Sequence, residues 1–260
     1  MVMMLALLEE WQAVGHALAT GDWIVRATAL GGAVVFVIWL LVAATRTRRY
    51  RAVGVLSDAD HGRVRAAIAA AEAKSRGELA VVVVERSDSH PHADWLIALT
   101  AMALGSTALA STSFGEHATL ALAANVVFAV VGFGASKLFP DFKRTFVSAR
   151  RAEEMAREQA IQEFAALAMH RTSGRTAVLI FVSLFERSVV VLGDEAIHSK
   201  VGDAGWLEVD AAVLERVRSE SLAAGLIAGV ERAGAILATH FPSDGDNPNE
   251  LADHLIVRES

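Results

Sequence analysis

The chain of 260 residues contains no cysteine, four prolines and a single tyrosine, and it has no excess of basic residues. Without cysteine it can form no disulfide, no thiolate zinc site and no cysteine nucleophile. Its 24 lysines and arginines are outnumbered by 30 acidic residues, which gives a net charge of -6. Because nucleic-acid binding needs a clustered basic face, this composition excludes a nucleic-acid partner.

What the chain has in abundance is apolar sequence. Apolar residues make up 53% of it and the mean hydropathy is +0.39, which is typical of a protein with membrane segments. The first predicted transmembrane helix covers residues 23–45, after an extramembrane segment of residues 1–22. Acidic residues precede this run and arginines follow it, the reverse of a signal peptide, so we expect a retained anchor.

Two further apolar runs, residues 94–114 and 117–140, are each long enough to cross the bilayer. The short turn between them predicts a helical hairpin. Basic residues follow the second run, and the positive-inside rule then places the N-terminus and this turn outside and the rest of the chain in the cytoplasm. These basic residues are Lys137, Lys143, Arg144, Arg150 and Arg151.

Polar residues within the hairpin bear on whether it could conduct a solute. Asn125 is the one polar side chain deep in the runs, and we expect it to bond a neighbouring helix. Gly105, Gly132 and Gly134 favour close helix packing. A transport path is the less favoured interpretation, because it would need more buried polar groups.

The remaining sequence predicts one α/β domain in two parts, residues 46–93 and 141–242. In the first part, Ser57 and Asp60 form a capping box that starts a helix over residues 58–75, and Leu79 to Glu85 reads as a buried strand. A single helix and strand cannot bury a core. The hairpin is therefore predicted to be an insertion that returns the chain to the same side of the membrane.

The second part supplies the missing partners. Residues 142–167 read as one long amphipathic helix, Thr176 to Leu184 as a central strand and Ser188 to Gly193 as its neighbour. Two helices follow, the first ending near Gly225, and residues 243–260 read as a mobile tail. The predicted fold is a small three-layer α/β/α sandwich with three or four strands, split by the hairpin, with three transmembrane helices in all.

The segments SRGELAVVVVE and RTAVLIFVSLFERSVVVLGDEAIHSKV resemble the TPM domain family, and in particular its bacterial integral-membrane branch of uncharacterised proteins. The chain is similar to that branch also in a His-Arg-Thr segment and in a tail with Phe-Pro and Asn-Glu-Leu. These are His170, Arg171, Thr172, Phe241, Pro242, Asn249, Glu250 and Leu251. The resemblance runs from about Leu56 to Leu251 without the hairpin, and it implies a multi-pass protein of the bacterial inner membrane.

The resemblance implies two alternative functions, because one fold can carry different functions. Some members of the family act as auxiliary or assembly partners, which implies a binding module for another membrane or envelope protein. Others bind a divalent cation such as calcium, and one plant member is linked to phosphatase activity, which implies a weak metal-dependent phosphatase. No catalytic residue can be named from the motifs.

The predicted ligand site is the acidic loop after the last strand, because α/β sheets bind ligands at strand C-termini. Asp194, Glu195 and Asp203 are the candidate metal ligands there, with His198 beside them. Glu78 and Arg187 join the candidate set at positions where the family keeps polar residues. The alternative for the loop is a solvated acidic segment. Trp206 is expected to pack on the core.

Overall fold

The computed structural model describes residues 54–110, 118–172, 174–243 and 254–258. The predicted first transmembrane helix, the segment before it and the hairpin turn lie outside these residues. The chain divides into two compact units, one containing His90–Val147 and the other combining Arg49–Ser89 with Ser148–Ser260. We call the first the hairpin unit and the second the α/β unit.

The α/β unit is built on a four-stranded mixed sheet. Its strands are β1 (Glu78–Val84), β2 (Ala177–Ser183), β3 (Ser188–Gly193) and β4 (His254–Arg258), in the order β3-β2-β1-β4. The strand β1 runs parallel to β2 and β4, and β3 runs antiparallel to β2. Both central strands are buried along their whole length, which explains their uninterrupted apolar sequences.

Helices cover both faces of this sheet, as predicted for an α/β fold. Leu79, Val81 and Val83 of β1 face a core shared with α1 (Asp58–Glu72), α6 (Glu195–Ser219) and α7 (Leu222–His240). The alternate residues Ala80 and Val82 pack instead with α5 (Ala149–Ala166) and the 3₁₀ turn Met169–Arg171. This alternation follows from the two-residue repeat of a strand.

The sequence places most boundaries within a few residues. Helix α1 begins with the predicted capping box, in which Ser57 and Asp60 exchange side-chain and backbone hydrogen bonds. The long helix predicted over residues 142–167 is wrong in its first part. A short helix α4 (Pro140–Arg144) ends there, and Ser148 caps a separate helix α5 by accepting from Arg151 N.

Two further predictions need correction. The acidic segment after β3 is not a loop, because Glu195 already begins helix α6, which continues through a kink at Gly202. The tail is not wholly mobile, because β4 adds to the sheet beside β1. The sequence His-Leu-Ile-Val-Arg is short and isolated, and only the open edge of β1 gives its apolar residues a place to pair.

The hairpin unit contains α2 (Pro91–Ala110), α3 (Ala118–Leu138) and α4. Within the described residues, two helices are long and apolar enough to cross a membrane, over Ala121–Leu138 and Leu222–His240. The second of these is α7, whose side chains belong to the core of the α/β unit. Length and composition alone therefore give weak support for a membrane location.

Candidate functional site

The α/β unit has a groove of about 640 Å³ along the free side of β3. The strand forms its floor, α5 contributes one wall, and α6 with the kink at Gly202 contributes the other. The groove is lined by Glu153, Arg157, Ser188, Val189, Val190, Val191, Leu192, Gly193, His198, Asp203, Trp206, Leu207 and Asp210. Of the predicted site residues, only His198 and Asp203 lie in it.

Packing between Trp206 and Gly193 forms the end of the groove. Trp206 is 6% exposed, which confirms that it packs on the core. A side chain at Gly193 would place its Cβ 2.4 Å from the indole ring, so only glycine allows this contact. The indole Nε1 donates to His198 Nδ1 at 3.3 Å, which orients the imidazole with its Nε2 4.0 Å from Asp203 Oδ1.

Asp194 serves the structure of α6 directly. It occupies the N-cap, where Oδ1 accepts a 2.7 Å hydrogen bond from Glu195 N. Its backbone carbonyl also accepts from Ile197 N and His198 N. Its other carboxylate oxygen is buried and has no hydrogen-bond partner among the described residues.

The three predicted metal ligands point to different surroundings. The Glu195 carboxylate forms a 2.9 Å ion pair with Arg175, and the Asp203 side chain is 94% exposed. Across the described ranges, no three His, Asp or Glu side chains are grouped so that they could hold a metal ion. The geometry therefore adds no support to the predicted calcium site at Asp194, Glu195 and Asp203.

Glu78 and Arg187 lie at opposite ends of the sheet. Glu78 is 2% exposed at the start of β1 and pairs in register with Ala177, whose carbonyl accepts from Asp194 N. Arg187 lies in the turn between β2 and β3 at a positive φ of 52°. Because β3 is antiparallel, its C-terminal end meets the N-terminal ends of β1 and β2. Strand direction therefore gives no reason to expect a ligand at the end of β3.

The true carboxyl edge of β1 and β2 holds a buried carboxylate that sequence reasoning missed. Glu186 is 4% exposed and accepts from Ser87 N at 3.0 Å, from Asp88 N and from the Ser183 hydroxyl. These bonds tie the segment after β1 to the β2–β3 turn. The carboxylate is thus engaged in holding this edge together.

Sequence reasoning also missed the charged groups that line the groove. Glu153 and Arg157 come from α5, and Asp210 comes from α6. Burial raises the pKa of Asp210 to about 6, and its Oδ1 is buried without a hydrogen-bond partner among the described residues. Asp210 directly follows the core residue Val209, so the helical pattern could have placed it at the edge of the buried stripe. It could not have shown the groove.

Comparisons with known proteins bear on the fold alone. No protein-family model matches the chain, and no curated protein matches it in sequence. The chain is similar in structure to the BA42 protein of the psychrophilic bacterium Bizionia argentinensis, determined by NMR, with a TM-score of 0.50 and 18% sequence identity. The similarity covers 79% of this chain and 95% of BA42. At this identity the likeness concerns the fold and carries no function.

Proposed function

We propose that the chain is a multi-pass membrane protein whose α/β unit is a binding or auxiliary module for another membrane or envelope component. The observation that supports a membrane location is the exposed apolar surface of α2 and α3. Leu104 is 68% exposed, Leu122 69% and Val130 65%. Large apolar side chains exposed together on two neighbouring helices indicate a membrane or protein interface in a stable protein.

The polar groups of the hairpin unit support a lipid environment. The hydroxyls of Thr100 and Thr107 donate to the carbonyls of Leu96 and Ala103, four residues earlier. The Ser106 hydroxyl lies within hydrogen-bond distance of Asn125 Oδ1 on the facing helix, as expected for the asparagine, so Ser106 is a second polar side chain at this depth. Polar groups in hydrocarbon find no water to bond, so hydrogen bonds formed within the protein, like these, suit a lipid environment.

The base of the hairpin supports the proposed boundary of the membrane. Asp94 is 1% exposed and pairs with Lys137 at 2.5 Å and with Lys143 at 2.7 Å. Trp95 lies next to this cluster and is 63% exposed, a position that suits the headgroup level. Charges at this end of α3 favour a cytoplasmic location for it and for the α/β unit.

We further propose that the α/β unit is a TPM-like domain of the bacterial membrane branch. The ordered motifs of the sequence support this, and so does a mixed sheet covered by helices on both faces. A binding role follows from the groove, which offers an open strand edge and charged walls. No specific observation among the described residues supports a metal-dependent phosphatase.

The topology can be tested with single cysteines, because the chain has no native thiol. We would introduce Ala59→Cys and Ala235→Cys at exposed positions of the α/β unit and Glu116→Cys in the predicted external turn. Intact cells would be treated with a membrane-impermeant maleimide, with permeabilised cells as the control. Labelling of Glu116→Cys alone is expected. Labelling of the other two in intact cells would place the α/β unit outside and refute the proposed orientation.

The binding role can be tested by photo-crosslinking from the groove in intact cells. A crosslinking amino acid at exposed Leu207 is expected to capture a discrete membrane or envelope protein, and one at exposed Ala235 is not. Equal capture from both positions would indicate nonspecific proximity and would count against a binding module.

A further inference from the structure

The groove floor is a strand with one unpaired edge. β3 ends the sheet, and Asp194 N donates to Ala177 O at 2.9 Å, which fixes which residues bond to β2. In an antiparallel pair the bonding residues alternate. Val189, Val191 and Gly193 therefore direct their backbone N–H and C=O groups away from β2, toward the groove. No described residue forms a backbone hydrogen bond with these three on that side.

This edge lacks the features that normally protect a free strand. Its sequence, Ser-Val-Val-Val-Leu-Gly, has no charge and no proline, and its register with β2 is continuous over six residue pairs. Six residues in extended form span about 20 Å, enough for a segment of similar length to pair with it. The residues of β3 are half-buried or buried, but its unpaired backbone groups form a template that a partner strand can extend.

The walls of the groove are predominantly acidic. Glu153, Asp203 and Asp210 face it with a single permanent cation, Arg157. His198 also lines the groove, and its Nδ1 accepts a hydrogen bond from the Trp206 indole. Asp210 adds a buried acceptor, Oδ1, that no described group satisfies. A partner with basic side chains would complement these charges.

We propose that the groove binds an extended basic segment of a partner protein, which adds as a fifth strand along β3 and directs a lysine or arginine toward Asp210. This inference rests on the proposed binding function and names the chemistry of the partner. Main-chain hydrogen bonds to Val189, Val191 and Gly193 supply affinity, and the acidic walls select basic side chains.

The test uses the full chain in nanodiscs of zwitterionic lipid and a fluorescent peptide of about ten residues in which lysine alternates with valine or threonine. Two matched peptides separate the contributions. In one, glutamate replaces every lysine. In the other, alternate backbone nitrogens are methylated, which keeps the charge and removes strand hydrogen bonds. We expect saturable binding of the lysine peptide and at least about tenfold weaker binding of both others.

Two variants test the two features of the site, the buried carboxylate and the unpaired strand edge. Asp210→Asn removes the carboxylate, and Val189→Pro removes an N–H that faces the groove while leaving the bonds to β2. Each is expected to weaken lysine-peptide binding about tenfold. Glu208→Gln is the control, because Glu208 lies on α6 outside the groove lining and pairs with Arg232. If Val189→Pro fails to fold by circular dichroism, Asp210→Asn and the methylated peptide still decide the question.

Three outcomes would overturn the inference. Equal binding of the methylated peptide would show charge attraction without strand addition. Binding unchanged by Asp210→Asn would place the peptide elsewhere. Binding that appears only after Arg46, Arg48, Arg49 and Arg51 are replaced by glutamine would show that the chain's own basic segment is the occupant. The binding function itself would survive any of these if crosslinking at Leu207 still captured a partner.

Discussion

Helices α3 and α7 have similar composition and opposite surroundings. Both are long and apolar enough to cross a membrane. Yet 17% of the apolar stretch Ala121–Leu138 in α3 is buried inside the protein, against 44% of α7. Leu226, Val230 and Leu237 of α7 are fully buried in the core, whereas Leu122 and Val130 of α3 are exposed. Hydropathy therefore measures the need for an apolar environment and leaves open whether protein or lipid provides it.

The largest expected effect comes from the same substitution in both helices. Leu226→Ala removes a side chain that is 0% exposed, and we expect the free energy of unfolding to fall by about 2 to 5 kcal/mol. Leu122→Ala removes one that is 69% exposed, and we expect a change of about 0.5 kcal/mol or less in detergent. Thermal unfolding of the full chain measures both. Equal losses would show that α3, like α7, is buried in a protein core.

The next effect tests close packing in the α/β unit. Gly193→Ala would push Cβ into the Trp206 ring, and we expect a loss of about 1 to 3 kcal/mol together with a shift in tryptophan fluorescence. Gly62→Ala in α1 is the control, because a Cβ there meets no atom within 4 Å. Alanine has a higher helix propensity than glycine, so this substitution should stabilise the chain by up to about 1 kcal/mol. A neutral Gly193→Ala would mean that Trp206 is free to move.

The hairpin unit should also have a packed side. At Gly132 a Cβ would lie 2.7 Å from Ala101 Cβ and 3.0 Å from the Ala98 backbone, whereas at Gly134 it meets nothing within 4 Å. We expect Gly132→Val to separate α2 from α3, at a cost of about 1 to 3 kcal/mol, and Gly134→Val to leave them together. A short thiol crosslinker between Ser106→Cys and Asn125→Cys can measure this. Loss of crosslinking in both variants would indicate a general effect of valine.

The smallest effect concerns a charged group beside the core. Because the Asp210 pKa is about 6 in the folded chain against an ordinary 3.8, the folded state binds this proton more tightly. Stability should therefore fall as pH rises from about 4 to about 6. Asp210→Asn should remove that slope and stabilise the chain at neutral pH by about 1 kcal/mol, a value reduced for partial exposure.

Exposed Asp203 supplies the control for this pH dependence. Asp203→Asn should leave the slope of the unfolding free energy against pH unchanged. If Asp210→Asn leaves it unchanged as well, another group in the α/β unit titrates over this range, and the buried carboxylate is not its source.

Local patterns in the sequence were enough for several elements. The capping box at Ser57, the valine-rich strand β1 and the strand pair β2 and β3 follow from hydrogen bonding and side-chain packing within a few residues. The break between α4 and α5 was missed because the apolar repeat continues across it. Ser148, which restarts the helix, carries a weaker signal than the repeat.

Composition and short-range periodicity were enough to show which segments are the most apolar and which strands are central. The burial of α7 by protein and the addition of β4 to the sheet depend on the packing of distant segments. The antiparallel direction of β3 follows from the short turn that joins it to β2, and this direction places Asp194 away from the carboxyl edge of β1 and β2 and apart from Arg187. The groove along β3 depends on residues far apart in sequence, since its walls come from α5 and α6. Neighbours that are far apart in sequence are set by the packing of the whole unit, and no local pattern encodes them.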